Sequence, residues 1–426
     1  MRLTGVCLVP VLGLAVSGAR AQLSREEVLN GADARIEQHR KADGVVRVLD
    51  AHGDPVADAQ VLIEQTSHEF LFGCNIFGWG QPTAEDSARY RDQFAALLNY
   101  ATLPFYWWGY EAEEGKPGYE GTEAVAHWCQ EHGVATKGHP LVWNYAAPKW
   151  LPNDNQRIIQ LSDERVKACV SHFRGLVDRW DVVNEATDPW RFDNLLTAAW
   201  KEYGRVEYTK HAFEIARQQN PSATLLINDY RHDQAYADLC RELVDDAGKP
   251  LYGAIGIQSH MHGGVMSPEE IWQVCERFAQ FGVPLHWTET TILSGPRGEK
   301  GWLPTTPEGE VAQADAVAMF YTVIFSHPAT AGLTWWDFSD RWAWQGAAAG
   351  LLREDLSPKP AYDRLMALIK GKWWTKLDTR TGDNGTALFR GFRGAYRMTV
   401  RKDGREATAE AVLTKDGPNE VKVELK

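Results

Sequence analysis

Residues 179–230 read RWDVVNEATDPWRFDNLLTAAWKEYGRVEYTKHAFEIARQQNPSATLLINDY and contain one full repeat of the pattern that decides the fold. The stretch begins and ends with short runs rich in apolar and β-branched residues, Arg179–Ala186 and Thr224–Tyr230, which predict strands. Between them, Asp193–Gln219 has apolar residues at helical spacing. A strand, a helix and a second strand in this order predict a parallel βαβ unit.

The same alternation extends over most of the chain. The runs that predict strands are Phe70–Phe77, Tyr100–Tyr106, Ala135–Trp143, Arg179–Ala186, Thr224–Tyr230, Tyr252–His260, Val283–Ile292 and Ala329–Ser339. The predicted helices include Asp86–Asn99, Glu164–Val177, Asp193–Gln219, Asp233–Ala247, Ser267–Phe281, Val311–Ser326 and Pro360–Lys370. Eight such units in about 300 residues predict an α/β fold, a (β/α)8 TIM barrel. The alternative is an open doubly wound sheet, but no glycine-rich phosphate turn follows the first strand.

Two flanking pieces do not share this alternation. Val45–Gln65 predicts two strands around a Gly-Asp-Pro turn, and Lys372–Lys426 predicts about five short strands. Two strands alone are marginally stable, so we predict that the flanks pair into one small accessory β-sandwich. The alternative is an N-terminal hairpin and a separate tail domain. The predicted divisions are a helix or linker at 22–43, the accessory sandwich at 44–66 and 372–426, and the barrel at 67–371.

The flanks also contain two halves of a known pattern. DAHGDPVADAQV (50–61) and DNGTALFRGFRGAYRMTV (383–400) resemble the two parts of a carboxypeptidase regulatory-like, or transthyretin-like, β-sandwich. The resemblance implies that the barrel is inserted between the second and third strands of this sandwich. A mainly structural role follows, because the flanks lack rows of tryptophan for binding sugar.

The first 21 residues have the pattern of a signal peptide. Arg2 gives a positive start, Val6–Val16 is apolar, and residues 19–21 read ARA, a small-x-small cleavage pattern. The apolar run is too short to span a bilayer. We therefore predict a secreted or periplasmic protein with no membrane span; an uncleaved N-terminal anchor is the alternative. The five cysteines that follow Cys7 lack the spacing of a zinc site. One disulfide among them is an open alternative, and the sequence does not indicate which pair would form it.

The composition argues against several partner classes. The net charge of the 426 residues is −12, loss of Arg2 and Arg20 with the signal peptide makes it −14, and no polybasic run occurs. We therefore expect neither nucleic acid nor anionic lipid as a partner. The 18 tryptophans favour a sugar ligand weakly, because large cores also use indoles.

Polar and aromatic residues follow the predicted strands at the end where barrel enzymes carry their chemistry. Two of them, Glu185 and Glu289, end the fourth and seventh strands. Splitting an acetal requires one group that protonates the leaving oxygen and another that meets the cationic sugar carbon. The two glutamates satisfy that requirement; solvated surface charges are the alternative. The other strand-end residues suit a neutral polyhydroxylated ligand, and they are His139, Trp143, Asn184, Asn228, Asp229, Tyr230, Gln258, His260, Trp335 and Trp336.

Six segments resemble the signature blocks of glycoside hydrolase family 10, whose known members are mainly retaining endo-β-1,4-xylanases. They occur in the family's order and span roughly residues 67–371, and LLREDLSPKPAY (351–362) resembles the family's closing segment. The blocks are GHPLVWN (138–144), WDVVNEA (180–186), LLINDY (225–230), IGIQSH (255–260), WTET (287–290) and TWWDFSDRWAW (334–344).

The resemblance implies a role for individual residues. Glu185 matches the acid/base and Glu289 matches the nucleophile, in a pair expected to lie about 5–5.5 Å apart. Hydrogen bonds from His260 and Gln258 are expected to keep Glu289 ionised, while Glu185 must begin protonated. We predict no cofactor and no metal ion. The residues that match substrate-binding positions are His139, Trp143, Asn184, Tyr230, Gln258, His260, Trp336 and Trp344.

The chain departs from the family at the second strand. Most members carry Thr-x-Glu-Asn-x-Met-Lys-Trp there, and its Glu, Asn and Lys bind sugars. A gap-free alignment on Thr102 puts Pro104, Phe105 and Trp108 at those three places. Each lost sugar contact costs on the order of 1–3 kcal/mol. We therefore expect weak binding of plain xylan. Because both Glu185 and Glu289 are retained, we still expect activity.

Two single residues also depart from the family pattern. Asn144 stands where histidine is common, and Thr291 stands where an aspartate usually orients the histidine of the site.

The predicted function is a secreted retaining glycoside hydrolase, an endo-β-1,4-xylanase acting on xylan or decorated xylo-oligosaccharides. One alternative is a related β-glycosidase with a remodelled glycone site, acting on another oligosaccharide or a glycoconjugate. The other is a carbohydrate-binding barrel without turnover.

Overall fold

The strands of residues 23–426 form one closed barrel and three smaller sheets. The computed structural model describes these residues, so the predicted signal peptide lies outside the described part of the chain. The strands are β1 (Lys41–Leu49), β2 (Gln60–His68), β3 (Leu71–Asn75), β4 (Tyr100–Pro104), β5 (Ala135–His139), β6 (Arg179–Asn184), β7 (Thr224–Asp229), β8 (Ala254–Met261), β9 (Leu285–Ile292), β10 (Arg297–Gly298), β11 (Gly301–Trp302), β12 (Thr330–Trp335), β13 (Lys376–Arg380), β14 (Thr386–Phe392), β15 (Gly394–Lys402), β16 (Arg405–Leu413) and β17 (Glu420–Glu424).

The barrel consists of eight parallel strands, and the prediction of a (β/α)8 fold is confirmed. Strands β3 to β9 follow one another around the barrel, and β12 closes it by pairing with both β9 and β3. Every residue of β9 is buried, because one face meets the barrel interior and the other meets the surrounding helices. This double burial explains why strands such as β7 contain an uninterrupted apolar run, Leu225–Ile227, rather than an alternating pattern.

Helices connect the barrel strands. The predicted helix Asp193–Gln219 is two helices, because Gly204 between them has φ 101°, which ends a right-handed helix. Tyr119–Glu131 is a helix that was not among those predicted from the sequence, and only Ala126 and Cys129 in it are buried. The helices are α1 (Arg25–Asn30), α2 (Ala32–Arg40), α3 (Ala84–Leu97), α4 (Trp107–Tyr110), α5 (Tyr119–Glu131), α6 (Asn155–His172), α7 (Leu195–Tyr203), α8 (Arg205–Gln219), α9 (Gln234–Glu242), α10 (Pro268–Ala279), α11 (Pro307–Ser326) and α12 (Pro360–Ala367).

The flanks build a small β-sandwich, as the sequence predicted. One sheet has the order β14-β1-β17, and the other has the order β13-β2-β15-β16. Each N-terminal strand therefore pairs only with C-terminal strands, so β1 and β2 do not form a hairpin with each other. A buried apolar cluster lies between the sheets and includes Val46, Val48, Val61, Ile63, Phe389, Tyr396, Met398 and Val400.

The first strand of the sandwich is longer than its sequence pattern indicates. It begins at Lys41 rather than Val45, and β2 continues to His68. The polar start of β1 lacks apolar alternation, but β14 pairs with it from Lys41 opposite Phe392 onward. A partner strand that is distant in the chain thus supplies the hydrogen bonds that make this segment a strand.

The sandwich lies against the end of the barrel where the strands begin. The ring of Phe392 in β14 lies 6.2 Å from that of Phe325, which precedes β12. The Arg40 guanidinium, directly before β1, donates hydrogen bonds to the carbonyls of Phe325 and His327 and to the Thr330 hydroxyl, at 2.6–2.8 Å. Burial lowers the pKa of Arg40 to about 9. The carboxyl ends of the barrel strands, where the candidate site lies, are therefore at the opposite end.

Two further features concern the helices and the cysteines. No helix among residues 23–426 has the length and apolar character needed to cross a membrane. The five cysteines in this range are buried and form no disulfide with one another.

Removing the C-terminal strands is expected to unfold β1 and β2. A chain that ends at Gly371 lacks every strand that pairs with them, including the Gly385 carbonyl that accepts from the Val48 amide at 2.8 Å. Hydrogen exchange of the Val46, Val48 and Ile63 amides should then rise to within about tenfold of the unstructured rate.

Amides of the barrel strand β7 serve as the internal control for this truncation. They should stay protected in both chains if the barrel itself remains folded. Protection of Val46 and Ile63 that survives the truncation would show that the N-terminal flank is independent of the tail.

Candidate active site

The carboxyl ends of the barrel strands open into a cleft of about 1370 Å³. The cleft contains both candidate glutamates, and its wall is strongly aromatic. Of the ten residues predicted to form the site, eight line the cleft, while His139 and Asn184 lie directly behind the lining. The lining aromatic residues include Phe77, Tyr106, Trp108, Trp143, Trp336 and Trp344.

Glu289 is buried near the end of β9 and is held by three side chains. Its Oε1 accepts from Asn228 Nδ2 at 2.7 Å, and its Oε2 lies 3.0 Å from His260 Nε2. Nε2 of His139 lies 3.8 Å from Oε1. Burial alone would raise the pKa of Glu289, but His139, His260 and the more distant Lys137 outweigh it and lower that pKa. The carboxylate is therefore kept ionised.

A buried charged pair stands behind His139. Oδ2 of Asp181 lies 2.7 Å from His139 Nδ1 and 2.5 Å from Lys137 Nζ, and the side chains of Asp181 and Lys137 are fully buried. Burial would raise the pKa of Asp181, but Lys137 and His139 lower it. Asp181 thus fixes the His139 ring by accepting from its Nδ1–H. Our sequence reasoning missed this pair; the signal was a charged residue inside each of two apolar strands.

Glu185 occupies a backbone conformation that is unusual for a side-chain-bearing residue. Its φ is 58°, and its amide donates to the Asn228 carbonyl at 2.7 Å. Such conformations cluster at functional sites because the surrounding structure must enforce them. The carboxylate accepts from Trp143 Nε1 at 2.8 Å and from Gln258 Nε2 at 3.1 Å, and Arg191 Nη2 also contacts its Oε2.

Buried amides connect the two glutamates. Asn228 Nδ2 donates both to Glu289 Oε1 and to Asn184 Oδ1, each at 2.7 Å, and Gln258 Nε2 donates to that same Asn184 oxygen at 3.2 Å. The expectation that Gln258 bonds to Glu289 is wrong: Gln258 holds Glu185, and Asn228 takes the expected place beside Glu289. The chain of amides fixes the two carboxylates relative to each other.

Two departures from the family pattern have clear structural outcomes. Thr291 Oγ1 lies 2.8 Å from His260 Nδ1, so a hydroxyl orients the histidine in place of a carboxylate. This contact holds the ring so that its Nε2 faces Glu289 Oε2. Asn144 is buried away from the cleft, and its Nδ2 donates to Thr197 Oγ1 at 3.1 Å.

The predicted aromatic residues present both buried and exposed rings to the cleft. Trp336 is buried, with its ring perpendicular to those of His139 and His260 at 5.3 and 5.7 Å. Trp344 is 42% exposed, and its ring lies 4.4 Å from that of His260. Tyr230 is half-exposed, and its hydroxyl donates to Asp188 Oδ2 at 3.2 Å. Exposed aromatic faces of this kind pack against sugar rings.

The second strand provides only part of what the alignment predicted. Pro104 and Trp108 line the cleft, and Trp108 is half-exposed. Phe105 does not line it, because its ring is fully buried 4.9 Å from that of Trp180. Tyr106 lines the cleft instead, so the expectation that Phe105 faces the sugar is wrong. Backbone alternation turns one of these two neighbours into the core and the other toward the cleft.

These side chains can perform acid–base and nucleophilic chemistry on a polyhydroxylated ligand. One buried carboxylate, Glu289, is held ionised, and a second, Glu185, accepts from the Trp143 indole in the same cleft. Residues 23–426 contain no group of three or more histidine, cysteine or carboxylate side chains arranged to hold a metal ion. The barrel and its paired carboxylates define a protein of the (β/α)8 glycoside hydrolase class.

Comparison with known proteins gives the family. The model of glycosyl hydrolase family 10 matches residues 75–368, and the chain belongs to that family. This range contains all ten residues that the sequence predicted for the site.

Relatives with curated descriptions share the sequence at moderate identity. The chain is 25% identical over 383 residues to the anti-sigma-I factor RsgI6 of Acetivibrio thermocellus, covering 88% of this chain and 47% of that protein. It is 25% identical over 344 residues to endo-1,4-beta-xylanase B of Thermotoga neapolitana, covering 77% of this chain and 96% of that one. The chain thus spans about half of the first relative and nearly all of the second.

Solved structures share the fold. Xylanase 10B from Thermotoga petrophila RKU-1 in complex with xylobiose matches with a TM-score of 0.61 at 23% identity, over 71% of this chain and 95% of that one. A family 10 structure from Paenibacillus barcinonensis matches with a TM-score of 0.61 at 22% identity, over 71% and 96%. At these identities the likeness concerns the fold alone.

Proposed function

We propose that the chain is a secreted or periplasmic retaining glycoside hydrolase of the endo-β-1,4-xylanase type, which cleaves xylan or decorated xylo-oligosaccharides. The observation that carries the proposal is the pair Glu185 and Glu289 in one aromatic cleft with different environments. Glu289 is held ionised by imidazoles and an amide, whereas Glu185 lies against the Trp143 indole and the Gln258 amide. This difference suits two carboxylates with separate roles.

In the first step, Glu289 attacks the anomeric carbon while Glu185 donates a proton to the leaving oxygen. His260 and Asn228 donate to the two oxygens of Glu289, so they hold the nucleophile in place and favour its charged form. Asp181 keeps the His139 ring oriented beside the same carboxylate. The covalent ester that forms removes the negative charge of Glu289.

In the second step, Glu185 acts as a base and takes a proton from the water that attacks the ester. The hydrogen-bonded amides of Gln258, Asn184 and Asn228 hold the Glu185 carboxylate in a fixed position relative to Glu289, and so relative to the carbon that reacts. We assign the Asn184 amide and the Trp336 indole to the sugar at the reacting position, and Tyr230 to the leaving-group side. Two inversions give a product with retained β configuration.

The experiment that tests the proposal is turnover of β-xylosidic substrates by the purified chain from residue 22 onward, followed by proton NMR of the first product. The β anomer should appear before mutarotation. An α product would contradict the roles of the two glutamates. Binding of oligosaccharides without turnover would favour the sugar-binding barrel instead.

One observation favours a second candidate, a β-glycosidase with a remodelled glycone site. Pro104 and Trp108 line the cleft where family members carry hydrogen-bonding residues, so a linear xylan chain loses polar contacts there. A substrate with an apolar or otherwise modified group in that position would lose less binding free energy. This candidate uses the same two glutamates and differs only in substrate.

Restoring polar side chains at these positions is expected to improve action on linear substrates. The double variant Pro104→Glu/Trp108→Lys should raise kcat/KM for linear xylo-oligosaccharides by about tenfold, because each restored charged hydrogen bond stabilises the bound sugar. The measurement is a comparison of specificity constants for xylotetraose between the variant and the wild-type chain.

Trp108→Ala is the matched control, because it removes the indole without adding a hydrogen-bonding group. It should not reproduce the gain. An unchanged specificity constant in the double variant would mean that the glycone site does not bind xylan at these two positions.

A further inference from the structure

Arg191 lies in the cleft beside Glu185 and has no part in the steps above. It belongs to the short turn Pro189–Arg191 between β6 and α7. Its Nη2 donates to Oε2 of Glu185, the same oxygen that accepts from the Trp143 indole. The guanidinium carbon lies 4.6 Å from the ring centre of Phe192 and 4.5 Å from that of Tyr230. The side chain is 31% exposed, so solvent in the cleft reaches it.

This contact conflicts with the role of Glu185 as an acid. A guanidinium beside a carboxylate stabilises its charged form, whereas the leaving oxygen requires a proton from Glu185. The productive complex therefore requires Arg191 to give up its contact with Glu185. Another acceptor in the complex must then replace that oxygen, because a guanidinium in a cleft wall prefers a charged partner.

The carboxylates near Arg191 do not supply that partner. Within residues 23–426, Glu185 is the only carboxylate in an ion pair with Arg191. Asp188 accepts from the Tyr230 hydroxyl at 3.2 Å. Asp229 faces inward and accepts from the backbone amides of Thr187 and Arg231. Burial raises the pKa of Asp229 despite the nearby Arg191 charge.

We propose that Arg191 is a specificity-determining residue that binds a carboxylate on the leaving-group side of the substrate and thereby leaves Glu185 free to act as an acid. The planar fork of donors suits a carboxylate, and the rings of Phe192 and Tyr230 hold its plane. The leaving-group side follows from the contact with Glu185, since that residue must reach the leaving oxygen. The substrate class is an oligosaccharide with an acidic substituent, such as a uronic acid branch. The inference rests on the proposed function, because it uses Glu185 as the acid.

The test compares two aryl β-xylobiosides that differ in one group, a para-carboxylate and a para-carboxamide on the leaving phenol. The wild-type chain should favour the carboxylate in kcat/KM by about tenfold, the usual range for a charge-assisted hydrogen bond. Arg191→Gln should lower this ratio by about tenfold, to the value set by the two phenols as leaving groups. Arg191→Lys should give an intermediate ratio because it keeps the charge without the fork. Arg231→Gln is the matched control, since Arg231 is a nearby arginine of similar exposure, 35%, that pairs with Asp233. Its ratio should equal that of the wild-type chain.

A binding measurement separates this inference from the proposed function. Calorimetry of the same two compounds on Glu289→Gln needs no turnover, and the double variant Glu289→Gln/Arg191→Gln should lose the preference for the carboxylate. Equal ratios with and without Arg191 would overturn the inference, in kinetics or in binding. Preference in binding without any turnover by the wild-type chain would contradict the proposed function alone.

Discussion

Glu289→Ala is expected to reduce kcat by about 10⁵-fold on every β-xylosidic substrate, because the variant lacks the carboxylate that forms the ester. Azide, which fits the space that the carboxylate leaves, should restore turnover and give the α-glycosyl azide. Inversion occurs because azide attacks once from the face that Glu289 occupied. Rates on aryl β-xylobiosides and NMR of the azide product are the measurements.

The pH dependence of activity provides a second test of the role of Glu289. Its lowered pKa means that Glu289 stays ionised, and the wild-type chain stays active, at pH values below the ordinary titration range of a glutamate. Activity should fall only when the pH drops through that lowered pKa, because protonation removes the nucleophile.

Glu270→Ala is the control for Glu289. Glu270 also lines the cleft, but its carboxylate accepts from the Ser267 amide at 2.7 Å and caps α10. This variant should keep turnover within about threefold of the wild-type rate, because Glu270 bonds to neither catalytic glutamate, and the lost cap should cost only about 1 kcal/mol of stability. A β-glycosyl azide from Glu289→Ala, or ample activity without azide, would assign the nucleophile to another group.

Glu185→Ala is expected to produce a loss that depends on the leaving group. Xylo-oligosaccharides, whose leaving alcohols need a proton, should lose about 10³-fold in kcat/KM, within the range of general acid catalysis. Aryl glycosides with good leaving groups should lose less than about tenfold, because they depart without a proton. The measurement is the slope of log kcat/KM against the pKa of the leaving phenol, which should become steeper in the variant.

Azide distinguishes this variant from the first. In Glu185→Ala, azide should attack the ester on Glu289 and give the β-glycosyl azide, because two inversions then take place. Asp188→Ala is the matched control, since Asp188 is a nearby carboxylate that accepts from Tyr230. Its losses should be similar for good and poor leaving groups. Equal losses for both substrate classes in Glu185→Ala would mean that Glu185 is not the acid.

The barrel could be predicted from the sequence because barrel strands are buried on both faces. Burial of this kind gives continuous apolar runs such as Leu225–Ile227, and the helices between them keep their own spacing. The strand boundaries of the accessory sandwich were harder to predict from the sequence. Its strand β1 begins in a polar segment, Lys41–Gly44, which becomes a strand only through pairing with β14.

The position of both glutamates could also be predicted, because it follows from strand order. Glu185 comes directly after β6 and Glu289 lies in β9, and parallel strands bring their carboxyl ends to one rim. The residues that contact the two glutamates could not be predicted as fully. Asn228 follows the same rule and was placed at the rim, but its bond to Glu289 was not predicted. Lys137 and Asp181 looked like parts of apolar strands.

The sequence by itself thus determined the barrel, its rim and the two carboxylates, because each depends on local periodicity and chain order. Tertiary structure alone decided which side chains meet. A register shift between Ile257 and Gln258 in the pairing of β8 with β9 accompanies the bond from Gln258 to Glu185. Alternation at the end of β4 turned Phe105 into the core. The turn before α7 brought Arg191 to Glu185. Such contacts depend on register, loop path and rotamer, which neighbouring residues in the chain do not fix.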